Sequence, residues 1–143
     1  MAVESPITRG LAGVVVETLP ITHSDNRRSF VEFFDSLEGK YSMRGVKVMN
    51  IKKPPKDGEI VVGGHWEKAR EVIYVLSGRI DNLRVADVET QEEKDIGPIP
   101  AGRRIMLPPN IAHRLTFIEE AVLIVLNEAP FSPAKLKPYP FKD

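Results

Sequence analysis

Four side chains that can bind a metal ion or move a proton occur in two short stretches of the sequence. The first stretch contains His65, Glu67 and Glu71, and the second contains His113. Two imidazoles and two carboxylates in one pocket would suit either of two chemistries. They could hold one divalent ion, Zn, Mn, Fe or Ni, or they could act as base and acid in moving a proton next to a carbonyl.

Short strands must position these groups if they are to act together. Residues two apart in a strand point to the same face, so we expect His65 and Glu67 to project together and Trp66 to point away. Glu71 opens the next apolar run, and His113 follows a tight turn that opens another strand. The sequence therefore predicts that the four side chains converge from two hairpins.

Proline and glycine punctuate the whole chain. Twelve prolines and ten glycines separate short runs rich in β-branched residues, which predicts an all-β sandwich or barrel. The run Glu71–Ser77 is apolar on both faces. We expect it to be covered by the barrel interior and by a second layer or a partner subunit, with Tyr74 packed between layers or at a dimer contact. The predicted strands are 13–18, 46–51, 60–62, 72–76, 80–88, 105–107 and 121–126, and residues 1–143 are taken as a single domain.

The composition argues against several classes of protein. Twenty basic and twenty acidic residues cancel, which argues against a nucleic-acid-binding surface and against a polybasic membrane anchor. The chain has no cysteine, so disulfides, zinc ribbons and thiol nucleophiles are excluded. Neither a signal-peptide pattern nor an apolar stretch of about 18 residues is found. We therefore expect a cytoplasmic protein with no membrane span.

The first stretch resembles the first of the two motifs of the cupin superfamily. The family motif reads His-x-His, three or four residues, Glu, six residues, Gly. This chain reads His65-x-Glu67, three residues, Glu71, six residues, Gly78. Every interval matches, and the one departure is Glu67, which stands where the family has its second His.

The second stretch resembles the second cupin motif, which reads Gly, five residues, Pro-x-Gly, two residues, His, three residues, Asn. Here Gly102, Pro108, Asn110, His113 and Phe117 occupy these positions. Asn110 replaces a Gly and Phe117 replaces the Asn. Asn tolerates the left-handed backbone that Gly usually supplies, so the first replacement is mild. The resemblance implies a single-domain cupin, a small antiparallel β-barrel or jelly roll, with the core motifs at about residues 60–126.

A narrower resemblance is to two groups of nucleotide-sugar cupins, the sugar 3,4-ketoisomerases and the dTDP-4-dehydrorhamnose 3,5-epimerases. Asp-Asn-Arg-Arg-Ser-Phe at 25–30 is similar to their D-x-R-G element. Val-Gly-Gly-His-Trp-Glu-Lys at 62–68 is similar to the ketoisomerase pattern R-G-x-H-A-H-K. Pro-Pro-Asn-Ile-Ala-His at 108–113 is similar to P-P-x-x-W-H, and an apolar strand follows it. The family's Arg is Val62 here, and its second His is Glu67.

The resemblance implies an isomerase or epimerase that acts on a nucleotide-linked keto-sugar. In this hypothesis His65 is the base, and Glu67 and His113 assist it. A second hypothesis is a metal-dependent cupin, an oxygenase or isomerase, with one divalent ion held by His65, Glu67, Glu71 and His113. A third is a small-molecule-binding module without catalysis. A nearby Glu67 carboxylate would raise the pKa of His65 and burial would lower it, and the sequence leaves this balance open.

Positive side chains near the first motif could bind the diphosphate of such a substrate. Lys68, Arg70 and Arg44 are the candidates, although Lys68 and Arg70 could instead form a solvated turn. Lys47, Lys52 and Lys53 could also bind it, but exposed strand faces are the simpler explanation for these three cations and for Arg44. Arg103 and Arg104 are expected at the surface.

Cupins commonly dimerise by pairing or exchanging edge strands, and an open sheet edge needs such cover. The resemblance therefore implies a homodimer. The aromatic and proline-rich tail at 131–141 either wraps a partner subunit or is frayed.

Overall fold

Short antiparallel strands make up most of the protein. The computed structural model describes residues 7–34, 42–129 and 135–142, and these ranges contain no α-helix. Among the described residues, no helix is long and apolar enough to cross a membrane. The strands are β1 (Ile7–Arg9), β2 (Val15–Thr18), β3 (His23–Ser24), β4 (Ser29–Phe30), β5 (Gly45–Ile51), β6 (Ile60–Trp66), β7 (Glu71–Ser77), β8 (Arg79–Ile80), β9 (Asn82–Asp87), β10 (Glu93–Ile96), β11 (Ile99–Pro100), β12 (Arg103–Leu107), β13 (Ile111–Phe117), β14 (Ala121–Asn127) and β15 (Lys137–Pro138).

Two main sheets enclose one hydrophobic core. The six-stranded sheet has the order β1-β2-β12-β7-β14-β5, and the five-stranded sheet has the order β10-β9-β13-β6-β15. The described strands do not join into one closed hydrogen-bonded barrel. They form the two layers of a jelly roll, so the predicted all-β fold is confirmed. Side chains fully buried between the layers include Val75, Leu123 and Val125 from the first sheet and Leu83, Val85 and Phe117 from the second.

The central strand β7 is covered on both faces, as its apolar pattern predicts. On the outer face, the ring of Tyr74 stacks on Phe33 with centroids 5.0 Å apart. Arg104 holds this segment in place, because its Nη1 donates to the Phe33 carbonyl at 2.8 Å and its guanidinium pairs with Glu17. Tyr74 is therefore covered by the segment that contains Phe33, on the outer face of the sheet. The expectation that Arg104 is a surface residue is wrong, since only 11% of its side chain is exposed.

A β-bulge in β6 sets the direction of its last residues. Gly63 and Gly64 both have positive φ, and the pairing of β6 with β13 shifts by one residue between His113 and Arg114. A Cβ atom on Gly63 would lie 2.6 Å from the carbonyl oxygen of His113. Only glycine fits there, and the bulge brings His65 opposite His113.

The apolar pattern of the edge strand β5 suggests that Val46 and Val48 face the interior. In the structure the other face of the strand is buried. Val46 and Val48 are 70% and 58% exposed, whereas Ile51 is buried and Lys47 and Met49 face the interior. The interpretation of Lys47 as an exposed strand residue is therefore wrong. A shift of one residue exchanges the two faces of a strand, and neighbouring strands decide which face is buried.

The described part of the tail lies on the chain's own five-stranded sheet. Lys137 and Pro138 pair with β6 opposite Trp66 and His65, and the Tyr139 amide donates to the Gly64 carbonyl at 2.9 Å. Residues 135–142 are therefore docked within the chain rather than frayed. Residues 131–134 of the predicted tail lie outside the described residues.

Candidate functional site

Two imidazole rings face each other where β6 and β13 pair. His65 and His113 are register partners, with ring centroids 5.1 Å apart and planes inclined by 73°. His113 is buried with 6% exposure, while His65 is half-buried. The prediction that the two motifs bring their histidines together is confirmed by this contact.

Glu71 approaches the same pair from the other sheet. It opens β7 and is 9% exposed, and its Oε2 lies 3.7 Å from His113 Nε2. The other ring nitrogen of His113, Nδ1, lies 3.5 Å from the Ile111 carbonyl oxygen. The His113 ring is therefore placed between a carboxylate of the facing sheet and a carbonyl of its own strand.

A small interior cavity of about 40 Å³ connects these groups. This volume exceeds the roughly 10–15 Å³ that a cavity needs to hold one water molecule. Its polar lining consists of His65, Glu71, His113 and Lys47, with the backbone of Gly63. The remaining lining is apolar and comes from both sheets: Met49, Val62, Ile73, Leu115, Leu123 and Val125.

Glu67 does not line this cavity, because β6 ends at Trp66 and the chain turns away. The Glu67 carbonyl accepts from the Asn110 amide at 3.1 Å, and Oε1 accepts from Asn127 Nδ2 at 3.4 Å. Asn110 has φ 65°, the left-handed conformation expected of a residue that replaces glycine. The structure thus places Glu67 at the rim of the cavity, where, besides burial, the charges of Glu71, His113 and Lys47 still affect its pKa.

Burial shifts the pKa values of His65 and Glu67 in opposite directions. Desolvation, followed by the neighbouring His113, lowers the pKa of His65 from its ordinary 6.5, and the smaller effect of Glu71 opposes this. Desolvation and then the charge of Glu71 raise the pKa of Glu67 above its ordinary value. The balance that the sequence left open is therefore settled by burial, and the carboxylate that acts on His65 is Glu71 rather than Glu67.

A groove of about 420 Å³ begins at Glu67 and is lined by three lysines. Lys68 comes from the turn after β6, and Lys135 and Lys137 come from the tail. The Nζ atom of Lys137 lies 4.9 Å from the centroid of Trp66, so the indole faces the tail. Lys68 thus lines a groove beside Glu67, and the tail contributes two cations that the motif did not reveal. Ala69 and Ala129 complete the groove.

The two predicted arginines lie at the end of β14, outside both hollows. Arg70 is held by Glu128: its amide donates to Oε1 at 2.9 Å, and its Nε lies 3.6 Å from the same oxygen. Arg44 is exposed, and its amide donates to the Asn127 carbonyl at 2.8 Å. Neither side chain lines the cavity or the lysine groove.

The predicted metal ligands do not converge on one point. In the described ranges, no three His, Asp or Glu side chains are arranged to hold a metal ion. His65, Glu71 and His113 share the cavity, but Glu67 is turned to Asn127. As placed, the residues do not fit the four-ligand site that the second hypothesis requires, because ligands must lie about 2.0–2.2 Å from a common ion.

A wider open hollow of about 1180 Å³ lies at the opposite end of β6 and β13. Lys53, Lys56 and Glu120 are among its lining residues. It contains none of the motif residues, so we place the candidate site at the histidine end of the two strands.

Sequence reasoning missed three residues of the site and assigned a fourth, Lys47, to the wrong face of its strand. Lys47 was interpreted as exposed because its neighbours Val46 and Val48 are apolar and suggest that their own face of β5 is the buried one. Asn127 follows an apolar run and gave no signal of its own, although it pairs with Glu71 across β14 and β7. The other two are Lys135 and Lys137, whose role depends on the return of the tail to β6.

The sequence matches no protein-family model and no curated protein. Solved structures share the fold. A 3,4-ketoisomerase from Helicobacter canadensis is 17% identical with a TM-score of 0.70, over 86% of this chain and 88% of that one. A mutant of the 3,4-ketoisomerase from Thermoanaerobacterium thermosaccharolyticum, in complex with TDP-4-keto-6-deoxyglucose, is 18% identical with a TM-score of 0.69, over 89% and 88%. The dTDP-4-dehydrorhamnose 3,5-epimerase from Bacillus anthracis, with TDP and PPi bound, is 16% identical with a TM-score of 0.78, over 97% and 85%. The fold implied by the two motifs is thus confirmed.

Proposed function

We propose that this protein is an isomerase or epimerase that moves a proton next to the carbonyl of a nucleotide-linked keto-sugar. The observation that carries the proposal is the pair of facing imidazoles, His65 and His113, at the mouth of the jelly roll. One ring is half-buried and accessible, and the other is buried against Glu71. A base and an acid in one small site are what such a proton transfer requires.

His65 acts as the base in this proposal. Its lowered pKa keeps the imidazole neutral at neutral pH, so a ring nitrogen can accept a proton. It takes the proton from the carbon next to the carbonyl. The electron pair of that C–H bond forms a C=C bond while the carbonyl π electrons move to the oxygen. For epimerisation the enolate takes a proton back at the same carbon on the other face. For isomerisation the former carbonyl carbon takes the proton, the former carbonyl oxygen becomes a hydroxyl, and the hydroxyl of the first carbon loses its proton to become the new carbonyl. His113 and Glu67 assist as proton donors, Glu67 through its raised pKa.

The lysine groove binds the diphosphate in this proposal. Lys68, Lys135 and Lys137 place three positive charges beside Glu67, within reach of a ligand whose sugar lies over His65. A cavity of about 40 Å³ is smaller than a sugar ring, so only the edge that carries the carbonyl enters it. Arg44 and Arg70, at the end of β14, are kept as proposed contacts to the outer part of the ligand.

The structural relatives support this substrate class. One ketoisomerase holds TDP-4-keto-6-deoxyglucose, and the epimerase holds TDP and PPi. Both are similar to this chain over more than four fifths of their lengths. The shared fold and the position of the histidines make nucleotide sugars the first ligands to test.

The test combines binding with turnover. Thermal-shift measurements with TDP, UDP and TDP-4-keto-6-deoxyglucose should show stabilisation of the folded protein, because a ligand that binds only the native state raises its midpoint. Proton NMR in D₂O should then show solvent exchange at carbons next to the carbonyl. The absence of both stabilisation and exchange with every nucleotide sugar would sink the proposal.

Two further outcomes would distinguish the other hypotheses from proton transfer. A binding module predicts a thermal shift without exchange or turnover. A metal-dependent cupin predicts stoichiometric metal by elemental analysis, lost in the double variant His65→Ala/His113→Ala. No observation at the site favours either alternative over proton transfer.

We also propose that two copies associate through β5. Within the described residues, β5 pairs only with β14 and forms one edge of the six-stranded sheet. Val46 and Val48 are the most exposed large apolar side chains on that edge. A second copy that covers this edge would bury both valines and pair the open backbone groups.

A further inference from the structure

Lys47 lies in the interior site although it belongs to an edge strand. It lines the same small cavity as His65, Glu71 and His113. Among the described residues that line this cavity, it is the one lysine or arginine. His65 and His113 come from the five-stranded sheet, whereas Lys47 and Glu71 come from the six-stranded sheet. A group that enters the cavity would therefore have the imidazoles on one side and the ammonium group on the other.

The charge of Lys47 acts on the reacting end of the site. Its positive charge contributes to lowering the pKa of His65 and also opposes the rise in the pKa of Glu67. An amine that influences both His65 and Glu67 lies close to the position proposed for the reacting sugar. The remainder of the cavity lining is apolar, which strengthens any electrostatic interaction inside it.

The proposed proton transfer creates a negative charge on the carbonyl oxygen, which persists until His113 or Glu67 supplies a proton. When a base removes a proton next to a carbonyl, the electron pair moves onto the oxygen and an enolate forms. Positioned donors or cations that meet this oxygen commonly supply the largest part of the rate enhancement. His65 is occupied as the base, and Glu71 carries the wrong sign of charge.

We infer that Lys47 is a catalytic residue that contacts the carbonyl oxygen of the substrate and stabilises the enolate as His65 removes the proton. The inference rests on the proposed function. The C–H bond breaks, the proton goes to His65, and its electron pair forms the new C=C bond while the carbonyl π electrons move to oxygen. The Lys47 ammonium donates a hydrogen bond to that oxygen. No oxidant, reductant or further reactant is required.

A purely structural lysine would give a different result on replacement. Met49, Val62 and Leu123 are among the apolar side chains around the cavity, so a methionine at position 47 suits its surroundings. Removing one member of a set of interior charges leaves its partner uncompensated, so loss of the ammonium group near Glu71 costs stability. We therefore expect Lys47→Met to fold with a lower unfolding midpoint than the wild type, and its activity is compared at a temperature below that midpoint.

The test measures wild type, Lys47→Met, Lys47→Arg and the matched control Lys52→Met. Lys52 is exposed and follows β5 directly. Affinity for TDP-4-keto-6-deoxyglucose is measured by calorimetry, and the first-order rate of hydrogen exchange of the bound sugar is measured by NMR in D₂O. For Lys47→Met we expect a Kd within about threefold of wild type and a rate about 100- to 1000-fold lower. Lys47→Arg should restore part of the rate, and Lys52→Met should match the wild type in both.

The outcomes separate the two proposals. If the wild type neither binds nor exchanges the sugar, the proposed function fails, and this inference fails with it. If the wild type exchanges the sugar and folded Lys47→Met does so within about threefold of its rate, only the role of Lys47 is overturned. If Lys47→Met does not fold, Lys47→Gln takes its place, and an exchange rate like that of the wild type overturns the inference in the same way.

Discussion

Nε2 of His113 lies 3.7 Å from Oε2 of Glu71, across the space between the two sheets. The two residues come from different motifs: Glu71 opens β7 and His113 lies in β13. Glu71 is the motif carboxylate that the metal hypothesis requires, and in this structure its Oε2 faces the imidazole of His113. The second motif histidine is absent, and its replacement Glu67 is bound to Asn127.

Replacement of His65 should abolish exchange without abolishing binding. His65→Asn removes the base but keeps a polar side chain, and general-base catalysis contributes about 100- to 10,000-fold. We expect the exchange rate to fall by that factor and the Kd for TDP to stay within about threefold. His23→Asn is the matched control, since His23 is exposed on the hairpin formed by β3 and β4. Equal exchange in the two variants would contradict the role of His65.

The pKa of His65 should respond to Glu71 in a defined direction. Burial lowers the pKa of His65 below 6.5, and the negative charge of Glu71 partly opposes this. Glu71→Gln removes that charge, so the His65 pKa should fall further, as measured by NMR titration of the imidazole. The acid limb of kcat/KM should lie below pH 6.5 in the wild type and move to still lower pH in the variant. A midpoint of His65 that rises in Glu71→Gln would show that the carboxylate does not act on it.

Loss of a groove lysine should weaken nucleotide binding in a salt-dependent way. Lys68→Ala and Lys135→Ala each remove one of the positive charges beside Glu67. We expect the Kd for TDP to rise about 5- to 30-fold at low ionic strength, equal to about 1–2 kcal/mol. Lys56→Ala, in the hollow at the far end of the strands, is the control and should bind as wild type does. Affinity that is unchanged in both groove variants would place the diphosphate elsewhere.

The two adjacent glycines of the bulge should differ in their tolerance of a side chain. Gly63 and Gly64 have φ of 92° and 87°, so alanine at either position carries similar backbone strain of about 1 kcal/mol. A Cβ at Gly63 would also lie 2.6 Å from the His113 carbonyl oxygen, whereas nothing lies within 4 Å of a Cβ at Gly64. Gly63→Ala should lower the free energy of unfolding by about 2–4 kcal/mol and Gly64→Ala by about 1 kcal/mol. Equal losses in urea titrations would contradict the close approach.

Disruption of the β5 edge should change the mass in solution. The proposed homodimer buries Val46 and Val48, so the double variant Val46→Lys/Val48→Lys should be monomeric by light scattering while the wild type is dimeric. Val61→Lys is the control, because Val61 is exposed on β6 of the other sheet. A monomeric wild type would overturn the proposal, and a dimeric double variant would move the interface away from β5.

The sequence by itself determined the all-β class, the two motifs and the meeting of His65 with His113. These conclusions depend on local spacing. Turn residues at fixed intervals end each strand, and the interval between motif residues fixes which of them start or finish neighbouring strands. The left-handed turn at Asn110 was predictable for the same reason, because it depends on one residue and its immediate neighbours.

The tertiary structure decided the rest of the site. Which face of β5 is buried depends on the strands beside it, so the inward direction of Lys47 could not be read from its alternation. Strand β6 ends at Trp66, so Glu67 lies outside the cavity that His65 lines, and the facing sheet supplies Glu71 beside His113. The return of the tail to β6 brought Lys135 and Lys137 to the groove. Each of these depends on contacts between residues far apart in the chain, which spacing within a motif does not encode.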